Sequence, residues 1–402
     1  MQTHLPDNII NTSAGKRADE ILRNCVHCGF CNATCPTYQL TGDELDGPRG
    51  RIYLIKQMLE TGKAGISTRL HLDRCLTCLS CQTTCPSAVA YGQLLDIGRH
   101  LVEEKSKRGI AELTFRKLLR TILPHKNRFL FFLRPGQWFR FLLSTKLKNK
   151  IPERKDTRSY ETPSDVHSRK MLLLEGCVQP GLSPATNLAA QAVFNQIGIS
   201  LLYAKNAGCC GAVSHHLNAT DEARKFIRKN IDAWWPYIEQ GVEAIVITAS
   251  GCGLMIKDYF DLMKDDPDYA EKAKKISEMA KDPVEVLENE NLSAFVLNQH
   301  REIVFHPPCT LQHGQKLAGR SEALLSSLGY KLQPVQDSHL CCGSAGTYSI
   351  LQPELSQQLL SNKIRSLLEH QPAVIATANI GCQQHLKSGT NVPVIHWLEL
   401  LE

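Results

Sequence analysis

The chain has 402 residues, of which 43% are hydrophobic and 21% are charged. This composition is that of a folded protein with buried cores, and it excludes a disordered chain, a fibrous repeat and a coiled coil. The length predicts two to three domains. The net charge is +6, but residues 101–170 hold 18 Lys and Arg against 7 Asp and Glu, so the rest of the chain is net negative.

The N-terminal segment from Met1 to Ile10 is polar and lacks the basic region and apolar core of a secretory signal. No uninterrupted run of about 18 apolar residues occurs, so we expect no membrane-spanning helix. We therefore expect a cytoplasmic protein. In a reducing compartment, its 16 cysteines are more often metal ligands or catalytic groups than disulfides.

Eight of the cysteines form two equal runs near the N-terminus. Each run reads Cys-x-x-Cys-x-x-Cys-x-x-x-Cys-Pro, and the second follows the first by 50 residues. This spacing is typical of bacterial ferredoxins, in which three close thiolates bind one 4Fe–4S cluster and the fourth cysteine binds the other. The spacing predicts one cluster bound by Cys25, Cys28, Cys31 and Cys85 and a second cluster bound by Cys75, Cys78, Cys81 and Cys35.

A pair of zinc sites is the alternative, since Zn²⁺ also binds four thiolates. Structural zinc sites are usually built from two separated Cys-x-x-Cys pairs. Here each run places four cysteines within 11 residues and ends in Cys-Pro. The spacing therefore favours iron–sulfur clusters over zinc.

The other eight cysteines form a repeat of a different kind. Each copy has a single cysteine, then Cys-Cys-Gly, then Gly-Cys, and equivalent positions lie 130 or 132 residues apart. Apolar segments before these cysteines predict three buried strands per copy, separated by two helices. The first helix of each copy is predicted to end at a glycine, Gly198 or Gly329, and the second is amphipathic. The predicted strands are residues 171–174, 199–203 and 244–248 in the first copy and 303–305, 331–335 and 373–377 in the second.

Alternating strands and helices predict parallel sheets, whose sites lie beyond the carboxyl ends of the strands. All cysteines of a copy follow strand ends, so we expect each copy to form one four-thiol site. The two sites together could bind one or two further iron–sulfur clusters. A redox-active disulfide, or thiols without metal, are the alternatives. The candidate ligands are Cys177, Cys209, Cys210 and Cys252 for a third site and Cys309, Cys341, Cys342 and Cys382 for a fourth.

Residues 101–167 are predicted to form a basic helical linker. Five of the 12 phenylalanines lie within residues 129–141, and Pro135-Gly136 is expected to break any long helix there. Basic and aromatic residues together are compatible with peripheral membrane association through residues 128–150, with docking of a partner subunit, or with a helix packed on the protein's own core. The modest charge and the lack of a recognisable fold for it argue against nucleic acid as a partner.

The sequence thus predicts an α+β protein overall. It comprises a mainly helical two-cluster ferredoxin domain, the basic aromatic linker, and two repeated α/β cysteine-rich domains with parallel sheets. No Gly-x-Gly-x-x-Gly or Gly-x-Ser-x-Gly motif is recognisable, so we expect no flavin or NAD on this chain and no catalytic residue. The expected boundaries are 1–100, 101–167, 168–297 and 298–402.

This domain order resembles a family of electron-transfer subunits that includes the iron–sulfur subunit of bacterial glycolate oxidase. Residues 22–45, 46–55 and 73–99 resemble that subunit closely, and the likeness extends over essentially the whole chain. The resemblance implies a complex in which flavoprotein subunits oxidise glycolate to glyoxylate and this chain passes the electrons to a respiratory acceptor. For a complex at the membrane surface, we expect that acceptor to be a quinone. It also implies a place on the cytoplasmic face of the inner membrane.

The same family leaves alternatives open: a subunit of anaerobic glycerol-3-phosphate or lactate dehydrogenase, or a heterodisulfide-reductase-like thiol–disulfide enzyme. In the heterodisulfide reductase branch the last motif is Cys-x-x-Cys. Here Met255 and His385 stand three residues after Cys252 and Cys382. The missing fifth thiolate argues against a non-cubane cluster and against the thiol–disulfide enzyme.

Two arginines, Arg49 and Arg51, follow the first cysteine run. Their positive charge could raise the reduction potential of a cluster. Surface or interdomain ion pairs are the commoner role of such arginines.

Overall fold

The computed structural model of the protein describes residues 1–142, 151, 153, 166–297, 299 and 301–402. Contacts divide the chain into two compact units. The first comprises Met1–Lys117 and His339–Lys363, and the second comprises Leu118–Ser338 and Ile364–Glu402. The domain boundaries expected from the sequence were drawn from the cysteine repeats, whereas these two units are defined by contacts between residues in the structure. The segment His339–Lys363, which lies inside the second cysteine-rich repeat, therefore belongs to the first unit.

The first unit is helical throughout its described residues. Helices here begin and end where the sequence favours it: Pro48 occupies the first turn of one helix, and Gly62 ends it with a positive φ of 68°. The helices are Asp7–Ile10, Ser13–Asn24, Phe30–Ala33, Pro36–Thr41, Pro48–Thr61, Ile66–Asp73, Ser80–Thr84, Tyr91–Lys105 and Tyr348–Leu351, with a 3-10 turn at Glu44–Asp46. Two further helices, Ile110–Ile122 and Pro353–Leu368, begin in this unit and run into the second.

The core of the first unit lies between the helices Pro48–Thr61 and Tyr91–Lys105. Ile55 and Leu94 are fully buried there. Gly98 lets the two helices approach closely, because a Cβ at this position would lie 2.6 Å from the Ile55 Cγ1 atom. Cys25, Cys75 and Cys81 belong to the same core, so the cysteine loops are fixed by apolar packing.

The second unit contains two parallel four-stranded sheets with the same strand order. The orders are β2-β1-β3-β4 and β6-β5-β7-β8, and all neighbouring strands are parallel. Both predicted parallel sheets are confirmed, with one additional short strand in each. The strands are β1 Arg169–Leu173, β2 Ile199–Leu202, β3 Ile245–Val246, β4 Ala280–Lys281, β5 Arg301–His306, β6 Tyr330–Leu332, β7 Ile375–Thr377 and β8 Val394–His396.

Helices flank these strands. Gly198 and Gly329 follow helix ends with φ of 80° and 94°, which confirms the helix stops expected at these glycines. The helices are Lys126–Trp138, Gln179–Leu182, Pro184–Gln196, Ala212–His216, Thr220–Glu239, Ser250–Lys257, Tyr259–Met263, Ala270–Met279, Pro283–Leu287, Arg320–Ser327 and Ile380–Lys387, with single turns at Arg140–Leu142, Ser293–Phe295, Thr310–Gly314 and Trp397–Leu400.

One hydrophobic core joins the two sheets. It includes Val246 from the first repeat and Phe305 and Trp397 from the second, all of them buried. The His396 Nε2 atom lies 2.9 Å from the Thr248 carbonyl oxygen, so a polar contact also links the repeats. Because apolar burial is the main stabilising term in folding, we expect the two repeats to unfold together.

The helix Lys126–Trp138 continues through Pro135, so the expectation that Pro135-Gly136 breaks it was wrong. Proline removes one hydrogen bond, to the carbonyl four residues earlier, but this segment is exposed and water can replace that donor. The helix ends three residues later. Residues 143–150 of the predicted membrane segment lie outside the described residues. Within the described ranges, no helix is both long and apolar enough to cross a bilayer.

Candidate metal centres

The first cysteine set surrounds one open cavity of about 450 Å³ in the first unit. Cys25 and Cys28 come from the loop before helix Phe30–Ala33, Cys31 lies in that helix, and the fourth member, Cys85, comes from the second run. The structure therefore brings together the four residues that the spacing analysis grouped. The cysteines lining this cavity are Cys25, Cys28, Cys31, Cys85 and, from the other set, Cys81.

The two cysteine loops share an unusual backbone. His27 and Gly29 in the first loop have φ of 60° and 88°, and the equivalent Thr77 and Leu79 in the second have φ of 54° and 62°. Left-handed backbone is unfavourable for a side chain such as that of Leu79 and is concentrated at functional sites. The repeat in the sequence is thus a repeat in backbone conformation, which turns successive thiols towards a common centre.

Two thiols of the first set, those of Cys25 and Cys31, have a raised pKa. Burial raises the pKa of Cys31 to about 11, and the neighbouring Cys25, Cys85 and Cys28 groups add to this shift. Burial likewise raises the pKa of Cys25. Four thiolates together in this environment need a compensating positive charge, which the iron of a bound cluster supplies.

The second cysteine set is buried in the first unit. Burial raises the pKa of Cys81, and the neighbouring Cys78, Cys75, Cys35 and Cys31 groups raise it further. Both Cys35 and Cys31 of the first run thus act on the second run. The buried members are Cys35, Cys75, Cys78 and Cys81.

A buried arginine contacts the second set. Arg51 is 1% exposed, and its Nη1 atom lies 3.9 Å from the Cys35 Sγ atom. Its other nitrogens donate to the His71 carbonyl oxygen at 2.7 Å and to the Thr37 hydroxyl at 3.1 Å. The buried carboxylate of Asp46 lies 3.7 Å away. Arg51 is therefore held by several partners with its charge directed at the site.

Asp46 contacts two guanidinium groups and one imidazole. It accepts a hydrogen bond from Arg74 at 2.8 Å, and its other oxygen lies 2.8 Å from the His71 Nδ1 atom. One carboxylate thus faces the guanidinium groups of both Arg51 and Arg74. The local balance of fixed charge beside the second set is positive.

A second arginine and a tyrosine lie against Cys75. Arg99 donates to the Cys75 carbonyl oxygen at 2.7 Å and to the Leu72 carbonyl oxygen at 3.0 Å. The Tyr91 hydroxyl lies 3.5 Å from the Cys75 Sγ atom. Burial acts to raise the pKa of Cys75, but the cations of Arg51 and Arg99 outweigh it and lower this pKa below its ordinary value.

Arg49 has a different place from Arg51. Its side chain is about one-third exposed and makes an ion pair with Glu44, 2.5 Å away. Solvent screens such a pair, which contributes little to stability or to a distant potential. Of the two roles left open for these arginines, Arg49 therefore has the surface ion pair and Arg51 has the buried position beside a thiol.

The third set lies in the second unit, beyond the carboxyl ends of β1, β2 and β3. Its thiols hydrogen-bond to one another: contacts with Cys177 and Cys210 raise the pKa of Cys209, and contacts with Cys209 and Cys252 lower the pKa of Cys210. The four residues that the strand-end argument grouped are thus brought together, although they come from loops far apart in the sequence.

Two buried polar side chains fix the Cys209-Cys210 pair. Asn230 donates to the Cys209 carbonyl oxygen at 2.8 Å, and the Tyr259 hydroxyl donates to the Cys210 carbonyl oxygen at 2.9 Å. Gly211 follows with a φ of 93°, and its N–H points at the Cys209 Sγ atom, 3.4 Å away. The glycine of the motif is needed for this turn.

The fourth set is divided between the units. Cys341 and Cys342 lie in the first unit, and Cys309 and Cys382 lie in the second. Gly343 has a φ of 90°, and its N–H lies 3.4 Å from the Cys341 Sγ atom, the same turn as in the first repeat. A joint site of these four cysteines stays a prediction.

Comparison with known proteins agrees with this arrangement. A 4Fe–4S dicluster domain model matches residues 21–89, and a cysteine-rich domain model matches residues 171–257 and 303–387. The chain is 51% identical over 402 residues to the glycolate oxidase iron–sulfur subunit of Escherichia coli, covering 100% of this chain and 98% of the relative. The chain belongs to the family of glycolate oxidase iron–sulfur subunits.

More distant relatives are also similar. The chain is 28% identical over 426 residues to a probable glycolate oxidase iron–sulfur subunit of Bacillus subtilis, covering 96% of this chain and 95% of the relative. It is 26% identical over 245 residues to lactate utilization protein A of Bacillus subtilis, covering 58% of this chain and 98% of the relative.

As a member of the glycolate oxidase iron–sulfur family, the chain is an electron-transfer component of an oxidoreductase complex, and its cofactors are iron–sulfur clusters. The residues present fit such clusters. The first two sets each offer four thiols, and the buried Tyr348 hydroxyl of the same unit has no hydrogen-bond partner within the described part of the chain. A cluster sulfur is an acceptor that would satisfy it.

Sequence reasoning missed the polar groups around the second set. Tyr91 and Arg99 lie on one buried face of the helix Tyr91–Lys105, with Leu95 between them. Their spacing of four and eight residues was a readable signal for a shared face. Tyr348 had no such signal, because it comes from a segment more than 200 residues away.

Proposed function

We propose that this chain is the electron-transfer subunit of a multisubunit glycolate oxidase. In this proposal a flavoprotein subunit oxidises glycolate to glyoxylate, and this chain carries the electrons to a respiratory acceptor, a quinone. The observation that carries the proposal is the pair of four-thiol sets in a chain 51% identical along its whole length to that subunit of Escherichia coli.

The proposed ligands are those of the two sets in the first unit: Cys25, Cys28, Cys31 and Cys85 for one 4Fe–4S cluster and Cys35, Cys75, Cys78 and Cys81 for the other. A bound cluster supplies one-electron chemistry, whereas a flavin takes two electrons from the alcohol. The protein holds the thiolates in place and keeps water from the second set. Cys28 is exposed, so the first set is the side that a partner can approach.

The four thiols of the third set are proposed to bind a further cluster, and those of the fourth set are proposed to bind another. The mutual hydrogen bonds of Cys177, Cys209, Cys210 and Cys252 support the third site. No fifth thiolate is present at Met255, which supports a four-cysteine cubane over a non-cubane cluster.

Iron analysis and co-purification test this function together. We expect the anaerobically purified chain to hold at least about eight irons, four per cluster, with equal sulfide. About twelve or sixteen would mean that the third set, or both later sets, also bind clusters. We expect the tagged chain to co-purify with flavoprotein subunits that reduce an added acceptor with glycolate. Zinc in place of iron would refute the cluster proposal, and activity with lactate or glycerol-3-phosphate alone would refute the substrate.

We also propose that the complex lies on the cytoplasmic face of the inner membrane through residues 128–150. The described part of this segment packs on the second unit with one face only. Gly181 accommodates that face, since a Cβ there would lie 2.8 Å from the Leu130 Cδ2 atom and 3.0 Å from the Leu133 Cδ2 atom.

The opposite face of this helix is apolar, basic and exposed. Phe131 and Trp138 are 71% and 60% exposed, and Phe132 is similarly exposed. Arg128 and Arg134 are exposed among them. Exposed aromatic rings between cations suit the interface of an anionic bilayer, where rings enter the headgroup region and arginines contact phosphate.

Vesicle sedimentation tests this proposal. We expect the complex to bind vesicles with phosphatidylglycerol better than vesicles of phosphatidylcholine, and high salt to weaken binding. The double variant Phe131→Ser/Phe132→Ser should bind at least about tenfold more weakly, because burial of one such ring contributes about 1.5–3 kcal/mol. Ile66→Ser, which removes an exposed apolar side chain elsewhere, is the control. Equal binding by both variants, or no preference for the anionic lipid, would contradict the proposal.

A further inference from the structure

The two cysteine sets of the first unit have different electrostatic surroundings. The second set has the buried guanidinium of Arg51, 3.9 Å from the Cys35 Sγ atom, and that of Arg99, bound to the Cys75 carbonyl oxygen. Arginine stays protonated at all relevant pH values, so both charges are permanent. In a buried setting they are only weakly screened.

The first set has no buried guanidinium among the contacts that the structure describes; its nearby cations are the part-buried Met1 ammonium, which donates to the Cys25 carbonyl oxygen at 2.6 Å, and one arginine. The guanidinium near its loop belongs to Arg49, whose Nη1 atom lies 3.0 Å from the position of a Cβ on Gly29. Arg49 is paired with Glu44 and is partly exposed, so its charge is both neutralised and screened. Cys28 of this set is itself exposed to solvent.

Two phenol groups add hydrogen-bond donors to the second set. The Tyr91 hydroxyl lies 3.5 Å from the Cys75 Sγ atom, while its side chain also lines the cavity of the first set. The position of Tyr91 is thus between the two sets, with its polar end towards the second.

Tyr348 is the second phenol. It is 6% exposed, and its hydroxyl has no hydrogen-bond partner in the described part of the chain. Burial raises the pKa of Tyr348, and the charges of Arg51, Cys75 and Cys341 act on it as well, so its hydroxyl is within electrostatic range of the second set and of Cys341. A buried donor without an acceptor costs free energy, and a sulfur atom of a bound cluster would remove that cost.

One-electron reduction adds a negative charge to a cluster. Buried cations and donated hydrogen bonds stabilise the reduced form more than the oxidised form, and so raise the reduction potential. We propose that the cluster held by Cys35, Cys75, Cys78 and Cys81 has the higher potential of the two, set by Arg51, Arg99, Tyr91 and Tyr348. An electron that arrives at the exposed first set then moves to the buried second set. This inference rests on the ligands proposed above.

A redox titration followed by EPR on the anaerobically purified full chain tests the proposal. The signals are first assigned with the Cys85→Ser and Cys35→Ser variants, each of which removes one cluster. We expect the cluster lost in Cys35→Ser to be reduced at the higher potential. Tyr91→Phe removes one donated hydrogen bond. Reduction of that cluster should become about tenfold less favourable, since a hydrogen bond to a charged group is at stake, and this is a shift of about 59 mV for one electron.

Tyr348→Phe gives the same measurement without risk to the fold, because its hydroxyl makes no hydrogen bond within the described chain. We expect a downward shift of the same cluster and an unchanged potential of the other. Tyr53→Phe is the matched control: this tyrosine lies in the same unit, is exposed, and should shift neither potential.

The outcomes separate the two proposals. A wild-type chain without about eight irons, or without two reducible signals, refutes the ligand assignment. Two signals in the reverse order, or equal potentials, overturn the inference while leaving the assignment intact. A Tyr91→Phe and a Tyr348→Phe chain that keep both clusters at wild-type potentials would also overturn it, since a merely structural tyrosine moves stability and not a potential.

Discussion

Replacing Cys28 with serine is expected to stop electron transfer through the complex. Serine keeps the size of the side chain but loses the thiolate, which is the ligand that iron prefers here. We expect one 4Fe–4S EPR signal to disappear, the iron content to fall by about four per chain, and acceptor reduction to fall to background. The flavin of the partner subunit should still be reduced by glycolate, because that step takes place before this chain accepts an electron.

A control variant and the rate of acceptor reduction by the Cys28→Ser complex test this loss of electron transfer. Asn24→Ser is the control, since it places a serine in the exposed position just before the same loop and touches no thiol. It should leave iron, EPR and acceptor reduction unchanged. If the Cys28→Ser complex reduced the acceptor at the wild-type rate, electrons would not pass through the first set, and the electron-transfer role would have to be assigned elsewhere.

The exchange of ligands between the two runs makes a second large effect predictable. We expect Cys85→Ser to remove the cluster of the first run and to leave the cluster of the second run, although Cys85 belongs to the second run by sequence. Cys35→Ser should do the reverse. Each variant should lose about four irons and one EPR signal, and the remaining signal should differ between them.

A pairing without exchange predicts the opposite pattern. In that case Cys85→Ser and Cys81→Ser would remove the same signal, whereas the exchange requires them to remove different ones. Thr84→Ala, at an exposed position of the same helix as Cys81, is a control that changes no thiol. Loss of both clusters in every variant would mean that the two sites form only together. It would contradict the expectation that each variant keeps one cluster.

The parts of the site that sequence could predict are those with a local signal. The spacing of the first eight cysteines predicts that Cys85 binds with the first run and Cys35 with the second, and the structure places Cys85 in the cavity of the first run. Strand ends followed by cysteine were enough to group the third set. These patterns are local because a tight loop and the end of a parallel strand each impose their geometry within a few residues.

Other features had no local signal. The fourth strands, such as Ala280–Lys281, are two or three residues long, too short for any periodicity. Pro135 was expected to end a helix, but the helix continues for three more residues. Arg49 and Arg51 are two residues apart in sequence and equal in chemistry. Only burial separates them, and burial is decided by helices that pack from elsewhere in the chain.

The membership of His339–Lys363 in the first unit has a consequence for biosynthesis. The segment Met1–Lys117 emerges from the ribosome before His339–Lys363 is translated, because residues 118–338 come between them. Until then the emerging N-terminal region lacks Tyr348 and the helices that follow it. We expect iron–sulfur assembly factors to act on this protein after translation, and a gene fragment that stops at Lys117 to yield a chain that takes up its iron poorly.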